Sequence, residues 1–199
     1  LIAASLIQES SYALIPRKVN RNVRTFLDLY GPELPARDLR DLPSESISTI
    51  TLVDTQSLVT IKGITKQTKI HVIDHHQKKS DLPMQWTSAF ENLGACTTLL
   101  VEEIHQKNIQ LDILHATLFL LGIYEDTGAL TYANTTSRDL LAAAFLLEQG
   151  ASLVIANQYL NSPLSDQQRE VYSRILQQTE HHDINGCRIV TAFADAEDL

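Results

Sequence analysis

Three short groups of residues carry the oxygen and nitrogen donors from which a cation site is built. Asp54-Thr55 closes an apolar, β-branched run at 47–53 (ISTITLV). Asp74-His75-His76 closes a second such run at 69–73 (KIHVI). Asp126-Thr127-Gly128 follows a long apolar stretch at 113–124. Carboxylates combined with imidazole suit Mn²⁺, Mg²⁺ or Fe²⁺. An Asp has two oxygens and can bridge two cations. Cation pairs ~3.5–4 Å apart serve phosphoryl hydrolysis by clamping the attacking and leaving oxygens. Taken alone, Asp54 also fits a turn cap and Asp126 a helix-stop turn before Gly128. The adjacent His75-His76 is harder to read that way. The common position of all three groups at element ends favours a joint functional reading.

The elements that must position them follow from the pattern. Runs 47–53 and 69–73 read as buried parallel strands, and ligands of parallel sheets bind beyond the carboxyl ends of the strands. A short strand is expected at 12–16, a helix through Val23, Phe26, Leu27 and Tyr30, and a loop over 31–46. Helices are expected from Gly94 to about Lys107, over 113–124 with Asp112 as N-cap, over 137–149 closed by Gly150, and over 151–160. Ser165 N-caps a more polar helix to about His181, and 187–193 reads as a strand. The class is α/β, a parallel sheet flanked by helices. Domain boundaries are placed at 1–163, a connector helix at 164–182, and the start of a largely absent second domain at 183–199.

Composition narrows the function classes. The 199 residues carry 16 Lys+Arg against 24 Asp+Glu, a net charge of −8, so a globally basic nucleic-acid coat is excluded. Cys96 and Cys187 have no CxxC partners, which excludes a zinc ribbon and a disulfide framework. Two isolated thiols suit a reducing cytoplasm, the expected location. No run of 18 apolar residues and no signal-peptide pattern occurs, so no membrane association is expected. The chain opens inside an apolar helix-like run, LIAASLI, and is read as a piece of a longer protein.

The string Val72-Ile73-Asp74-His75-His76 resembles the third motif of the DHH phosphoesterase superfamily. That superfamily includes RecJ-type exonucleases, oligoribonucleases and manganese pyrophosphatases. Val53-Asp54-Thr55 resembles its second motif, and Gly122-Ile123-Tyr124-Glu125-Asp126-Thr127-Gly128 its fourth, GIYxDTG. Gly94-Ala95-Cys96-Thr97-Thr98 resembles the GATxT helix opening between them, and Asn134-Thr135-Thr136 also fits. The family's first motif, an HxxxDxDA-like string that supplies further ligands, is expected upstream of Leu1.

The resemblance implies roles. Asp54 bridges two Mn²⁺ or Mg²⁺ ions, and His75 and Asp126 complete one of them. His76 contacts the substrate phosphate, and Asp74 orients an imidazole. Gly94, Thr97 and Thr98 lie where main-chain amides at a helix N-terminus cradle a phosphate, although helix capping explains the threonines equally well. With only Asp54 left for the second ion, weak binding of a single ion and little hydrolysis are expected of these 199 residues.

The segment VNRNVRTFLDLYGPELP at 19–35 further resembles the N-terminal DHH module of bacterial poly(A) polymerase and A-adding tRNA nucleotidyltransferase proteins. The leading expectation is therefore a metal-dependent phosphodiesterase acting on short RNA, DNA or nucleotides. The alternatives are an accessory RNA-handling module of a tRNA nucleotidyltransferase and a non-catalytic nucleotide-binding relic. Further domains of the parent chain are its expected partners.

Other residues weigh less. Arg21, with Arg17, Lys18 and Arg24, could touch a nucleic-acid backbone, but a solvated face is the plainer reading. His181-His182 reads as the end of a helix, complementing its dipole. His115 reads as a satisfied core histidine and His71 as structural. Trp86 and Phe90 read as packing.

Overall fold

Parallel pairing of the two apolar runs sets up the site. In the computed structural model, which describes residues 1–8, 10–16, 19, 21–42, 45–160 and 165–193, β3 (Thr49–Val53) and β4 (Lys69–Asp74) run parallel with Val53 opposite Ile73. A third parallel strand, β5 (Thr87–Phe90), pairs on the other side of β4 with Phe90 opposite Asp74. The order β3-β4-β5 therefore brings Asp54, just past β3, beside Asp74 at one edge. Sequence reading missed β5 because TSAF is short and has no β-branched run to mark it.

The side-chain period of two divides the sheet's apolar residues between its faces. Leu52, Ile70 and Val72 form one small cluster, covered by Ile50, Leu58, Trp86 and Phe90. Val53 and Ile73 point the other way and pack on the helical core.

The helical core is built around α4 (Ile113–Thr127). Ala116, Phe119, Leu120 and Ile123 of α4 are almost wholly buried, against Leu100, Val101 and Ile104 of α3 (Cys96–Gln106) and Leu146 of α5 (Ser137–Glu148). Each large apolar side chain so buried stabilises the fold by roughly 1.5–3 kcal/mol. α6 (Leu153–Leu160) closes this layer with Ala156.

Asp112 caps α4, its Oδ1 accepting from the His115 amide at 2.8 Å. The helix runs on to Thr127, so Asp126 lies in its last turn and does not follow it, as the sequence suggested. Gly128, at φ 54°, ends it in the left-handed region. A Cβ there would overlap the Tyr132 ring.

The N-terminal part carries α1 (Ile2–Ile7), β1 (Ala13–Ile15), α2 (Arg21–Tyr30) and β2 (Ala36–Asp38). β2 pairs parallel with β1, where a loop was expected over 31–46. β2, with the sequence ARD, has no apolar run to mark it, unlike the ALI of β1. Arg17 and Lys18, and the side chain of Arg21, lie outside the described residues.

The chain divides into two compact units, residues 1–160 and 161–199. The second holds α7 (Asp166–Gln177), β6 (Glu180–Ile184) and β7 (Cys187–Thr191). Ser165 caps α7 as expected, accepting from the Gln168 amide at 3.1 Å. The helix stops at Gln177, short of the expected His181. His181 and His182 instead belong to β6, antiparallel to β7. The turn signal was present: Asn185-Gly186 both have positive φ, as a two-residue hairpin demands. Among the described residues, no helix is long and apolar enough to cross a membrane.

Candidate metal centre

Asp54 follows β3 with φ 60°, a left-handed conformation that Asp tolerates better than most residues. Its amide still donates to Ile73 O at 2.9 Å, so the ladder holds up to the turn. The carboxylate stands about half exposed. Burial raises its pKa, and His75 and His76 counter that rise.

Asp74 closes β4 and is only 1% exposed. Its Oδ1 accepts from the His76 amide at 3.1 Å and from His76 Nδ1 at 2.7 Å. Its Oδ2 accepts from Gln56 Nε2 at 3.0 Å. Burial pushes this carboxyl up, but the hydrogen bonds from His76 and Gln56 prevail and hold it below its ordinary value.

His75 Nδ1 lies 3.1 Å from Leu93 O. A carbonyl only accepts, so Nδ1 carries a hydrogen, and in the neutral ring Nε2 holds the lone pair. That Nε2 lies 3.3 Å from Asp54 Oδ1. The His76 ring packs edge-on against His75 with centroids 4.2 Å apart. Its hydrogen bond to Asp74, aided by the charges of Asp54 and Asp126, raises its pKa against partial burial.

One ligand atom from each of Asp54, Asp74, His75 and His76 lies within 4.8 Å of the others. Asp126 does not join this tight group, but its carboxyl is pushed up to about 6 by burial and by the Asp54 charge, with His75 and His76 opposing. These donors fit a divalent cation. Burial disfavours the ionised form of both Asp54 and Asp126, Asp126 also through the Asp54 charge, and the neutral His75 ring presents a lone pair at Nε2. A cation relieves the first condition and uses the second.

The Gly94 and Ala95 amides donate to Asp139 Oδ2 and Oδ1 at 3.0 and 3.2 Å. The Thr98 hydroxyl donates to Asp139 Oδ1 at 2.6 Å. The Gly94 amide and the Thr98 hydroxyl are therefore engaged by a protein carboxylate. Gly94 is required for this approach, because a Cβ would lie 2.7 Å from Asp139 Oδ2. Thr97 faces α4, where a Cβ on Gly122 would come 2.7 Å from its hydroxyl. Asp139 also accepts from the Thr136 amide and hydroxyl, both at 2.7 Å, tying the starts of α3 and α5 together.

Sequence reasoning missed Gln56, Leu93 and Asp139. The spacing Thr136-x-x-Asp139 is a capping-box pattern that marks Asp139. Nothing in the sequence marks Gln56 or the Leu93 carbonyl. Cys96, beside the site, donates its thiol to Ile73 O at 3.3 Å. Burial, reinforced by the Asp54 charge, pushes that thiol up to about 12, so it stays protonated. His71 bonds Thr87 through Nδ1 at 2.8 Å. His115 is only half satisfied: Nδ1 bonds Asp112 at 2.8 Å, whereas the buried Nε2 has no hydrogen-bond partner among the described residues.

No protein-family model matches the chain. Over 98% of its length it is 30% identical to an A-adding tRNA nucleotidyltransferase of Geobacter sulfurreducens, of which it covers 23%. Over 94% it is 37% identical to the protein of that name in Aquifex aeolicus, covering 22% of it. The chain thus spans less than a quarter of these relatives. Over 45% of its length it is 34% identical to the bifunctional oligoribonuclease and PAP phosphatase NrnA of Mycoplasma genitalium, covering 28% of that protein. Among solved structures, a Methanococcus jannaschii protein assigned to the family II inorganic pyrophosphatases matches 96% of the chain with TM-score 0.62 at 20% identity, over 65% of its own length. Motif order, fold and relatives agree: the chain resembles the DHH superfamily and, within it, the N-terminal module of the A-adding tRNA nucleotidyltransferases.

Proposed function

We propose that these residues form a divalent-cation phosphoesterase centre acting on phosphodiester bonds of short nucleic acids or nucleotides. The observation that carries the reading is the convergence of Asp54, Asp74, His75 and His76 within 4.8 Å at the carboxyl edge of a parallel sheet. Asp54, His75 and Asp126 are assigned to hold the cation. When bound, the cation polarises a phosphoryl oxygen and makes bound water acidic. An imidazole donor beside the carboxylates favours Mn²⁺ over Mg²⁺, which prefers oxygen and strict octahedral geometry. Asp74 holds the Nδ1 hydrogen of His76, so the ring presents a fixed edge to a substrate phosphate.

A second reading is favoured by the relatives matched along nearly the whole chain, both A-adding tRNA nucleotidyltransferases. In it the centre serves RNA handling within a longer protein. Mn²⁺-dependent release of mononucleotide from a short labelled RNA separates the two. It is measured on the longer protein containing these residues, beside its His75→Ala and Asp126→Ala variants. Release lost in both variants supports hydrolysis. Mn²⁺ binding without release, in a protein that still binds RNA, supports the accessory module.

A further inference from the structure

Gln56 lies two residues beyond Asp54, buried to 9% exposure, with every polar atom of its amide engaged. Its Nε2 donates to Asp74 Oδ2 at 3.0 Å and to Gln77 O at 3.1 Å. Its Oε1 accepts from the Lys79 amide at 2.8 Å. One side chain from the loop after β3 thus fixes both the carboxylate that ends β4 and the main chain of the loop that follows it. A second bond joins the same loops, from Lys79 Nζ to Ser57 Oγ at 3.2 Å.

The orientation of Asp74 matters because His76 has two carboxylates within reach. Its Nδ1 lies 2.7 Å from Asp74 Oδ1 and 3.5 Å from Asp54 Oδ1. The Nδ1 hydrogen goes to the nearer one. With Oδ2 of Asp74 pinned by Gln56, Oδ1 stays aimed at His76, and Asp54 Oδ1 stays open on the side facing His75 Nε2. Without the pin, Asp74 is held through Oδ1 alone, by the His76 amide and ring, and a turn of its carboxylate would let the His76 hydrogen pass to Asp54. That would occupy the oxygen assigned to the cation.

We propose that Gln56 is a positioning residue of this centre: it holds Asp74 so that His76 donates to Asp74 and leaves Asp54 available to a divalent cation. The proposal rests on the phosphoesterase reading only for what the cation does, and its first readout needs neither cation nor activity.

The test uses Gln56→Met, which keeps length and loses all three bonds, and Gln56→Glu. The latter keeps an acceptor for the Lys79 amide but sets a carboxylate against Asp74, so it carries the test if the Met variant does not fold. In the cation-free protein, the His76 Nδ1–H proton resonance is expected to move or broaden away in both variants. Mn²⁺ affinity, read by electron paramagnetic resonance, is expected to fall ~10–100-fold, the usual range for residues that orient ligands. In a His76→Ala background the same Gln56 changes are expected to leave Mn²⁺ affinity unaltered, because no hydrogen remains to misdirect. An unchanged resonance in a folded variant overturns the proposal, as does an equal loss of affinity with and without His76. A wild-type protein that binds no Mn²⁺ overturns the reading of the centre, while the resonance still decides the role of Gln56.

Discussion

His75 gives its Nδ1 hydrogen to the carbonyl of Leu93, 3.1 Å away, and that bond decides what the other side of the ring does. In the neutral ring Nε2 is then the acceptor, 3.3 Å from Asp54. Protein partners of this kind raise the basicity of an imidazole and fix its direction. His76, bonded to Asp74 by its own Nδ1, is tied to a carboxylate and far more exposed. The two neighbouring histidines therefore stand in different settings. His75→Ala is expected to lower Mn²⁺ affinity at least ~10-fold, and His76→Ala to leave it near wild type. Equilibrium titration of the two variants checks this. Equal losses would merge the roles.

Asp126 gives the cation-free protein a pH-dependent weakness. Its carboxyl is pushed from 3.8 to about 6 on folding, mainly by burial. A folded value above the unfolded one means a contribution that is fully present at pH below about 4 and lost as pH rises through about 6. The urea midpoint without divalent cations is expected to show this loss, and Asp126→Asn to remove it. A variant that keeps the full slope would assign the effect elsewhere.

Asp139 anchors the starts of two helices with one carboxylate. Asp139→Ala leaves the Gly94 and Ala95 amides and the Thr98 hydroxyl without their acceptor, all in a buried place. The expected cost is at least about 3 kcal/mol, a fall in Tm of roughly 10 °C for a protein of this size. Against burial, its hydrogen bonds from Thr98, Thr136 and Gly94 keep this carboxyl below its ordinary value. Its stabilisation is therefore present above about pH 4 and lost as pH falls through that lowered value. Calorimetry of the variant checks the first point. Acid unfolding of wild type beside variant checks the second.

Gly128→Ala is expected to destabilise for two reasons that can be separated. The left-handed φ of 54° costs about 1 kcal/mol for a residue with a Cβ. Overlap with Tyr132 adds more. Tyr132→Ala in the same chain is expected to recover the second part only. A double variant no more stable than Gly128→Ala would place the whole cost in the backbone.

The two cysteines are expected to behave oppositely towards alkylation. Cys96 is buried, with its thiol pushed up to about 12, whereas Cys187 is exposed. The native protein is expected to take up one equivalent of iodoacetamide quickly, at Cys187, and a second only on unfolding. Peptide mass mapping decides.

The residues themselves explain which features could be read in advance. Asp54 and Asp74-His75-His76 were legible because β-branched runs mark parallel strands and the donors sit directly at their ends. α4 was legible from its apolar face and its Asp112 cap, but its end was placed one turn early because Glu125-Asp126 looked like a polar stop. Gln56 and the Leu93 carbonyl were not legible, since each acts through tertiary contact and leaves no local pattern. The bonding of the Gly94–Thr98 opening to Asp139 was not legible for a related reason. A helix N-terminus offers amides to any anion, and here a carboxylate 45 residues away takes them.

The donors come from three separate stretches of chain: the end of β3, the end of β4 and the last turn of α4. No one of them alone offers a cation more than an isolated carboxylate or a histidine pair. A cation that binds this arrangement recognises only the folded chain, and so acts on the folding equilibrium by mass action. At 100 times its Kd it adds about 2.7 kcal/mol to the native state. The supply of such an ion would then shift how much of the protein is folded at any moment.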